Sequence, residues 1–73
     1  MLDKDQLEKA RNEIYARHGY KFKTDYIQEY FNSCSWYKGT IEAEDFKINV
    51  FNEFELKNIH LIKKIEQKKG YIE

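Results

Sequence analysis

An all-α domain of three helices is the fold class this sequence predicts, and three observations predict it. Leu7, Ala10, Ile14 and His18 recur at helical intervals up to Gly19. Phe51, Phe54, Asn58, Leu61, Ile62 and Ile65 recur at the same intervals before Gly70. The chain also contains no proline, internal repeat or low-complexity run that would break the pattern. Its 73 residues suit one domain around one modest core, so residues 1–73 are read as a single unit. Aromatic residues make up 16% of the chain, which is expected to serve mainly as core inventory in so small a domain.

The first helix is expected over roughly residues 5 to 18, because Asp5-Gln6-Leu7-Glu8 has capping-box spacing. On its wheel Arg11 and Arg17 flank the Leu7, Ile14, His18 stripe, and Ala16 points away from it. Thr24 is the expected cap of a second, shorter helix that carries Tyr26, Ile27, Tyr30 and Phe31 and ends near residue 33. From Ser35 to Ile48 no period is sustained, yet Trp36, Tyr37, Ile41, Phe46 and Ile48 are too apolar for a free linker. An ordered loop between helices two and three, pinned by its hydrophobes, is the reading. Asn49 is the expected cap of the third and longest helix, which is predicted to bury Phe51, Phe54, Leu61 and Ile65 against helix one. Asn58 sits at the centre of that stripe, so its amide is expected to be buried and hydrogen-bonded. Leu56 and His60 fall on the opposite side, and His60 is expected to be solvated.

Composition excludes several classes of function. Thirteen basic and thirteen acidic residues cancel, which removes the field that a general nucleic-acid binder would use, and the tail lysines 63, 64, 68 and 69 read as a solvated helix end. The single cysteine, Cys34, cannot close an internal disulfide and reads as a buried thiol shielded by Trp36 and Tyr37. His18 and His60 are far apart in sequence with no spaced ligand pair around them, so neither a metal nor any other cofactor is expected. No stretch approaches the ~20 apolar residues of a membrane span, and the start at Met1, Leu2 and Asp3 does not resemble a positively charged signal segment.

Specificity concentrates in Tyr15-Ala16-Arg17-His18-Gly19, the closing turn of helix one, where an arginine, an imidazole and the aromatics Tyr15 and Tyr20 crowd around a glycine stop. The run Ala10 to Tyr20 closely resembles the signature of the YARHG domain, a small bacterial domain named for its five-residue motif. Positions 15 to 19 match that motif without substitution. The resemblance extends through Phe22, Tyr30-Phe31, Trp36-Tyr37, Asn52-Glu53 and Lys57-Asn58-Ile59, and so covers roughly residues 7 to 66. One departure is the segment Lys38 to Ile48, which lacks the proline that similar domains often carry there. The resemblance implies an extracellular or envelope-associated setting, in company with other modules, and brings no reaction or ligand with it.

Three functional readings compete on these residues. In the leading one, the domain is a non-catalytic accessory module that binds protein or a cell-envelope polymer through Tyr15, Arg17, His18, Gly19, Tyr20, Trp36 and Tyr37, with Arg11 and Asn58 as structural support. Exposed members of the set Tyr20, Tyr26, Tyr37 and Tyr71 would supply contact area. A second reading is a purely structural spacer. A third is a hydrolytic or acid-base enzyme fragment using His18 and Arg17, opposed by the lack of a nucleophile or paired carboxylates beside them. Arg17 is expected to act as a hydrogen-bond hub toward a loop carbonyl, Glu53 or Glu55. His18 is expected to be packed, with one ring nitrogen bonded to protein and Tyr20 and Phe22 folded over the ring.

Overall fold

The computed structural model describes residues 3–72; Met1, Leu2 and Glu73, which the single-domain reading and the reading of the chain start also include, lie outside the described residues. Three α-helices follow in chain order: α1 over Lys4–Ala16, α2 over Asp25–Asn32 and α3 over Glu53–Lys68. Two short 3-10 turns, Ala43–Asp45 and Ile48–Val50, punctuate the ordered segment between α2 and α3. No strand is present among the described residues, and the sole sheet-like contact there is an isolated parallel bridge between Tyr20 and Ile41.

Helix α1 is the central element. It forms the main packing pair with α3, as its apolar register predicted, and α2 packs against it as well. This two-sided packing explains how Ala16 points away from the Leu7, Ile14, His18 stripe, as expected, and is nonetheless buried. One face of α1 carries Leu7 and Ile14, while the opposite face brings Ala16 into a cluster with Ile27 and Phe31 of α2. Phe22, Cys34 and Tyr37 close over that cluster, and Cys34 is half-buried rather than fully enclosed. A small side chain at position 16 leaves room for the aromatic Phe31, which is fully buried.

The helix starts differ from the sequence reading by a few residues. At α1 the capping box is formed by Asp3 and Gln6, not by Asp5 and Glu8, and Asp5 instead pairs with Lys9 one turn on. At α3 it is formed by Asn52 and Glu55, while Asn49 lies inside the preceding 3-10 turn. Asp3 and Asp5 both have an acidic or amide residue three positions on, so at α1 the pattern admitted two starts, whereas Asn49 is followed three positions on by Asn52 and only Asn52 has a Glu there. Thr24 is the cap residue of α2 by backbone conformation, but its side chain makes no capping bond.

The ends of α1 and α3 share one geometry. Gly19 and Gly70 are the glycines with positive φ, at 83° and 76°. Each permits a Schellman closure: Tyr20 N–H donates to the Tyr15 carbonyl at 3.4 Å and Gly19 N–H to Ala16, just as Tyr71 N–H donates to Glu66 at 2.8 Å and Gly70 N–H to Gln67.

The inward face of α3 is the largest correction. Phe54 is 72% exposed and Leu61 57%, and Asn58 is exposed as well, so the predicted stripe is not the core face. The buried positions are Ile59 and Glu66, with Glu55, Leu56, Ile62 and, from the predicted stripe, Ile65 half-buried around them. Leu56, placed on the solvent side by the sequence, is therefore better covered than Leu61. The register was missed because two of its members are glutamates, which an amphipathic reading assigns to water. Phe51, just ahead of the helix, is buried as expected, and His60 is exposed as expected.

Candidate functional site

Those inward glutamates are partnered from α1. Glu66 is 1% exposed, and its carboxylate accepts a forked pair from Arg11, Nε to Oε1 at 2.7 Å and a second guanidinium nitrogen to Oε2 at 3.3 Å. At the other end of the interface, His18 Nε2 lies 2.8 Å from Glu55 Oε2. A carboxylate only accepts, so the ring carries its proton on Nε2 for this bond. Glu55 Oε1 accepts from the Asn52 N–H at 2.9 Å, completing the capping box. The Asn52 backbone donor, followed by His18, holds the Glu55 carboxyl below its ordinary value. Because α1 and α3 run antiparallel, the Arg11–Glu66 and His18–Glu55 pairs pin the interface toward its two ends.

The five motif residues divide their work. Tyr15 is packed among aromatic rings, with centroids 4.9 Å from Phe51, 5.5 Å from Tyr20 and 5.6 Å from Phe46. Its contact with Tyr20 is the apolar contact that accompanies a Schellman closure. Ala16 fills the small space against α2. His18, beyond its bond to Glu55, meets the edge of Phe51 at 5.1 Å. Tyr20 and Phe22 do not cover it; Tyr20 leans on Tyr15, Phe22 and Phe46, and Phe22 stacks on Phe31. Gly19 is required twice. Its carbonyl accepts from the Thr40 and Ile41 N–H groups at 2.9 Å each, which draws the loop so close that a Cβ would stand 2.8 Å from Thr40 Oγ1 and 3.3 Å from the Lys38 carbonyl.

Arg17 alone of the five turns outward. It is not bonded to Glu53 or Glu55; its guanidinium lies 4.0 Å over the ring of Trp36 and 3.4 Å from Glu13 on the preceding turn of α1. Two further contacts join charged side chains of α1 to exposed aromatics of α2. Lys9 Nζ sits 4.4 Å over the Tyr30 ring, and the Tyr26 hydroxyl donates to Glu8 at 2.6 Å, a bond that raises the tyrosine above its ordinary range. Tyr26, Tyr30 and Trp36 are all exposed. Tyr26 was among the sequence candidates and Tyr30 was not, although their spacing of one helical turn was the available signal.

Tyr37 is half-buried and belongs to a different feature. Its hydroxyl donates to the Tyr20 carbonyl at 2.6 Å, and Gln28 Nε2 donates to it at 3.3 Å. Gln28 Oε1 in turn accepts from the Phe22 N–H at 2.7 Å. These groups line an open depression of about 460 Å³ with Asn32 and the Lys21–Glu42 ion pair. Tyr20 and Tyr71 are half-buried too. The sequence set is thus brought together only in part: Tyr15, His18, Gly19, Tyr20 and Arg11 form the interior closure, Arg17 and Trp36 the outer edge, and Asn58 stands apart on α3.

A three-helix domain, closed by a glycine turn and ion-paired through its motif, is the class this geometry defines. The chain belongs to the YARHG domain family, whose model matches residues 1–67. Neither the curated proteins nor the solved structures contain a match to it. Among the described residues no helix is long and apolar enough to cross a membrane.

Proposed function

We propose that the domain is a non-catalytic accessory module of an extracellular or cell-envelope protein, and that it holds a cell-envelope polymer along the edge formed by Tyr26, Tyr30 and Trp36. The observation that carries this reading is the repeated pairing of an exposed ring with a charged side chain. Three exposed rings are each met by a charged side chain of α1 or its closing turn: Tyr26 by Glu8, Tyr30 by Lys9 and Trp36 by Arg17. Flat rings held in fixed orientation offer stacking area at low entropic cost, and the flanking cations and carboxylate offer hydrogen bonds to hydroxyl or anionic groups. The envelope setting rests on the family. Non-catalytic use is supported by the commitment of His18 to Glu55 and Phe51, which makes the imidazole a tie between helices.

Trp36 is the one tryptophan in the chain, so its fluorescence reports directly on this edge. Titration with purified cell-wall polysaccharide should shift Trp36 emission saturably, and Arg17→Ala and Tyr30→Ala should weaken the response several-fold. Saturable binding to a protein from the same envelope, with none to polymer, would move the reading to a protein-docking role, which Tyr, Trp and Arg also suit. Failure to bind either would leave a structural spacer as the better account.

A further inference from the structure

Part of the stripe that the sequence offered as core is exposed in the folded domain: Phe54, Asn58 and Leu61 face solvent, with Ile65 half-buried beside them. Phe54, Asn58, Leu61 and Ile65 follow one another at intervals of four, three and four residues, the spacing of a coiled-coil seam with Asn58 at an a position. Lys57 and Lys64, seven residues apart like Phe54 and Leu61, occupy the flanking g positions. The seam lies about 120° around the helix from the direction of Ile59 and Glu66, so packing against α1 leaves most of it open.

We infer that this edge of α3 docks an amphipathic helix of a partner protein, apolar along its own seam and acidic along its flank. Charge selects the occupant. Folding turns Glu55 and Glu66 inward onto His18 and Arg11, which leaves Lys57, Lys63, Lys64, Lys68 and Lys69 on the exposed surface of a helix whose one outward carboxylate is Glu53, paired with Lys57 at 3.4 Å. A second copy of the chain fits poorly. Parallel pairing would set Lys64 against Lys69 and Lys57 against Ile62, and antiparallel pairing would set the flanking lysines against each other. A lipid surface would accept the lysines but has no use for a seven-residue period, and it gives Asn58 no partner. A facing helix gives it one and uses it to fix register. The seam is a second surface, separate from the aromatic edge of α1 and α2.

The test uses two synthetic helical peptides with one Leu/Ile seam and an Asn to face Asn58, one flanked by Glu and one by Lys, titrated by fluorescence anisotropy. The domain should bind the Glu-flanked peptide about ten-fold more tightly at low salt, with the gap narrowing as salt rises. The double variant Lys57→Glu/Lys64→Glu should reverse the preference, and Leu61→Ser should weaken both peptides while leaving the unfolding midpoint unchanged. Equal binding of the two peptides, binding of neither, or a preference that survives the charge swap would overturn the proposal. So would self-association of the domain that Leu61→Ser abolishes, or sedimentation with phosphatidylglycerol and phosphatidylcholine vesicles in the absence of peptide binding.

Discussion

The two ends of the α1 and α3 interface use the same chemistry at different depths. Arg11 and Glu66 form a forked, buried pair, whereas His18 and Glu55 form a single bond at a partly open edge, where the carboxylate also caps α3. A buried pair contributes little net stability when intact, because desolvation offsets attraction, but it is costly to break from one side. The edge pair is cheaper to break and responds to pH. The difference teaches that the inner pair fixes which face of α3 meets α1, while the outer pair secures the motif turn to that face.

The sharpest way to break the comparison is to remove one partner at the buried end. Arg11→Met should destabilise the domain by about 3 to 5 kcal/mol, because Glu66 would be left uncompensated in the interior. The double variant Arg11→Met/Glu66→Leu should recover most of that loss, and equilibrium urea unfolding of both would decide it. An equally poor double variant would mean that the pair's own attraction, rather than the orphaned charge, carries the effect.

Next in size is the apolar register of α3. Ile59→Ala should cost about 2 to 5 kcal/mol by leaving a cavity. Leu61→Ala should stay within about 0.5 kcal/mol, since the side chain stands mostly in solvent. Denaturant midpoints in the opposite order would restore the stripe that the sequence suggested.

That stripe marks where sequence reasoning stopped. Helix count, the glycine stops at Gly19 and Gly70 and the packing of α1 on α3 were legible, because each depends on local rules of period and cap. The inward face of α3 was not. Glu55, Ile59, Ile62 and Glu66 recur at helical spacing, but two charged members disguise a buried row, and their partners, Arg11 and His18, are remote in the chain. Arg17 was misplaced for a related reason: a guanidinium can be a hub or a stacking cap, and only the position of Trp36 decides between them. The burial of Ala16 was not legible because a single helix wheel cannot show that α1 is packed on two sides.

The open end should reveal itself through pH. The carboxyl of Glu55 is held below its ordinary value of 4.5, so the stability it contributes is fully present above that pH and is lost as pH falls through the lowered native value. Urea unfolding from pH 7 down to pH 3 should therefore show a steeper acid loss in the native sequence than in Glu55→Gln. Parallel curves would separate the His18 contact from Glu55 titration.

Most directly at stake is the division of the motif into an interior closure and one outward arginine. Urea unfolding at pH 7 of Tyr15→Ala, His18→Ala, Gly19→Ala and Arg17→Ala tests it in one series. Gly19→Ala should lose about 1 to 3 kcal/mol from its positive φ and the crowding by Thr40 and the Lys38 carbonyl. Tyr15→Ala and His18→Ala should each lose at least about 1 kcal/mol from lost packing and, at His18, an orphaned Glu55. Arg17→Ala should fall within about 1 kcal/mol of the native sequence, since only an exposed stacking contact and a surface ion pair are removed. Arg17→Ala unfolding as easily as His18→Ala would contradict the division and make the arginine part of the lock.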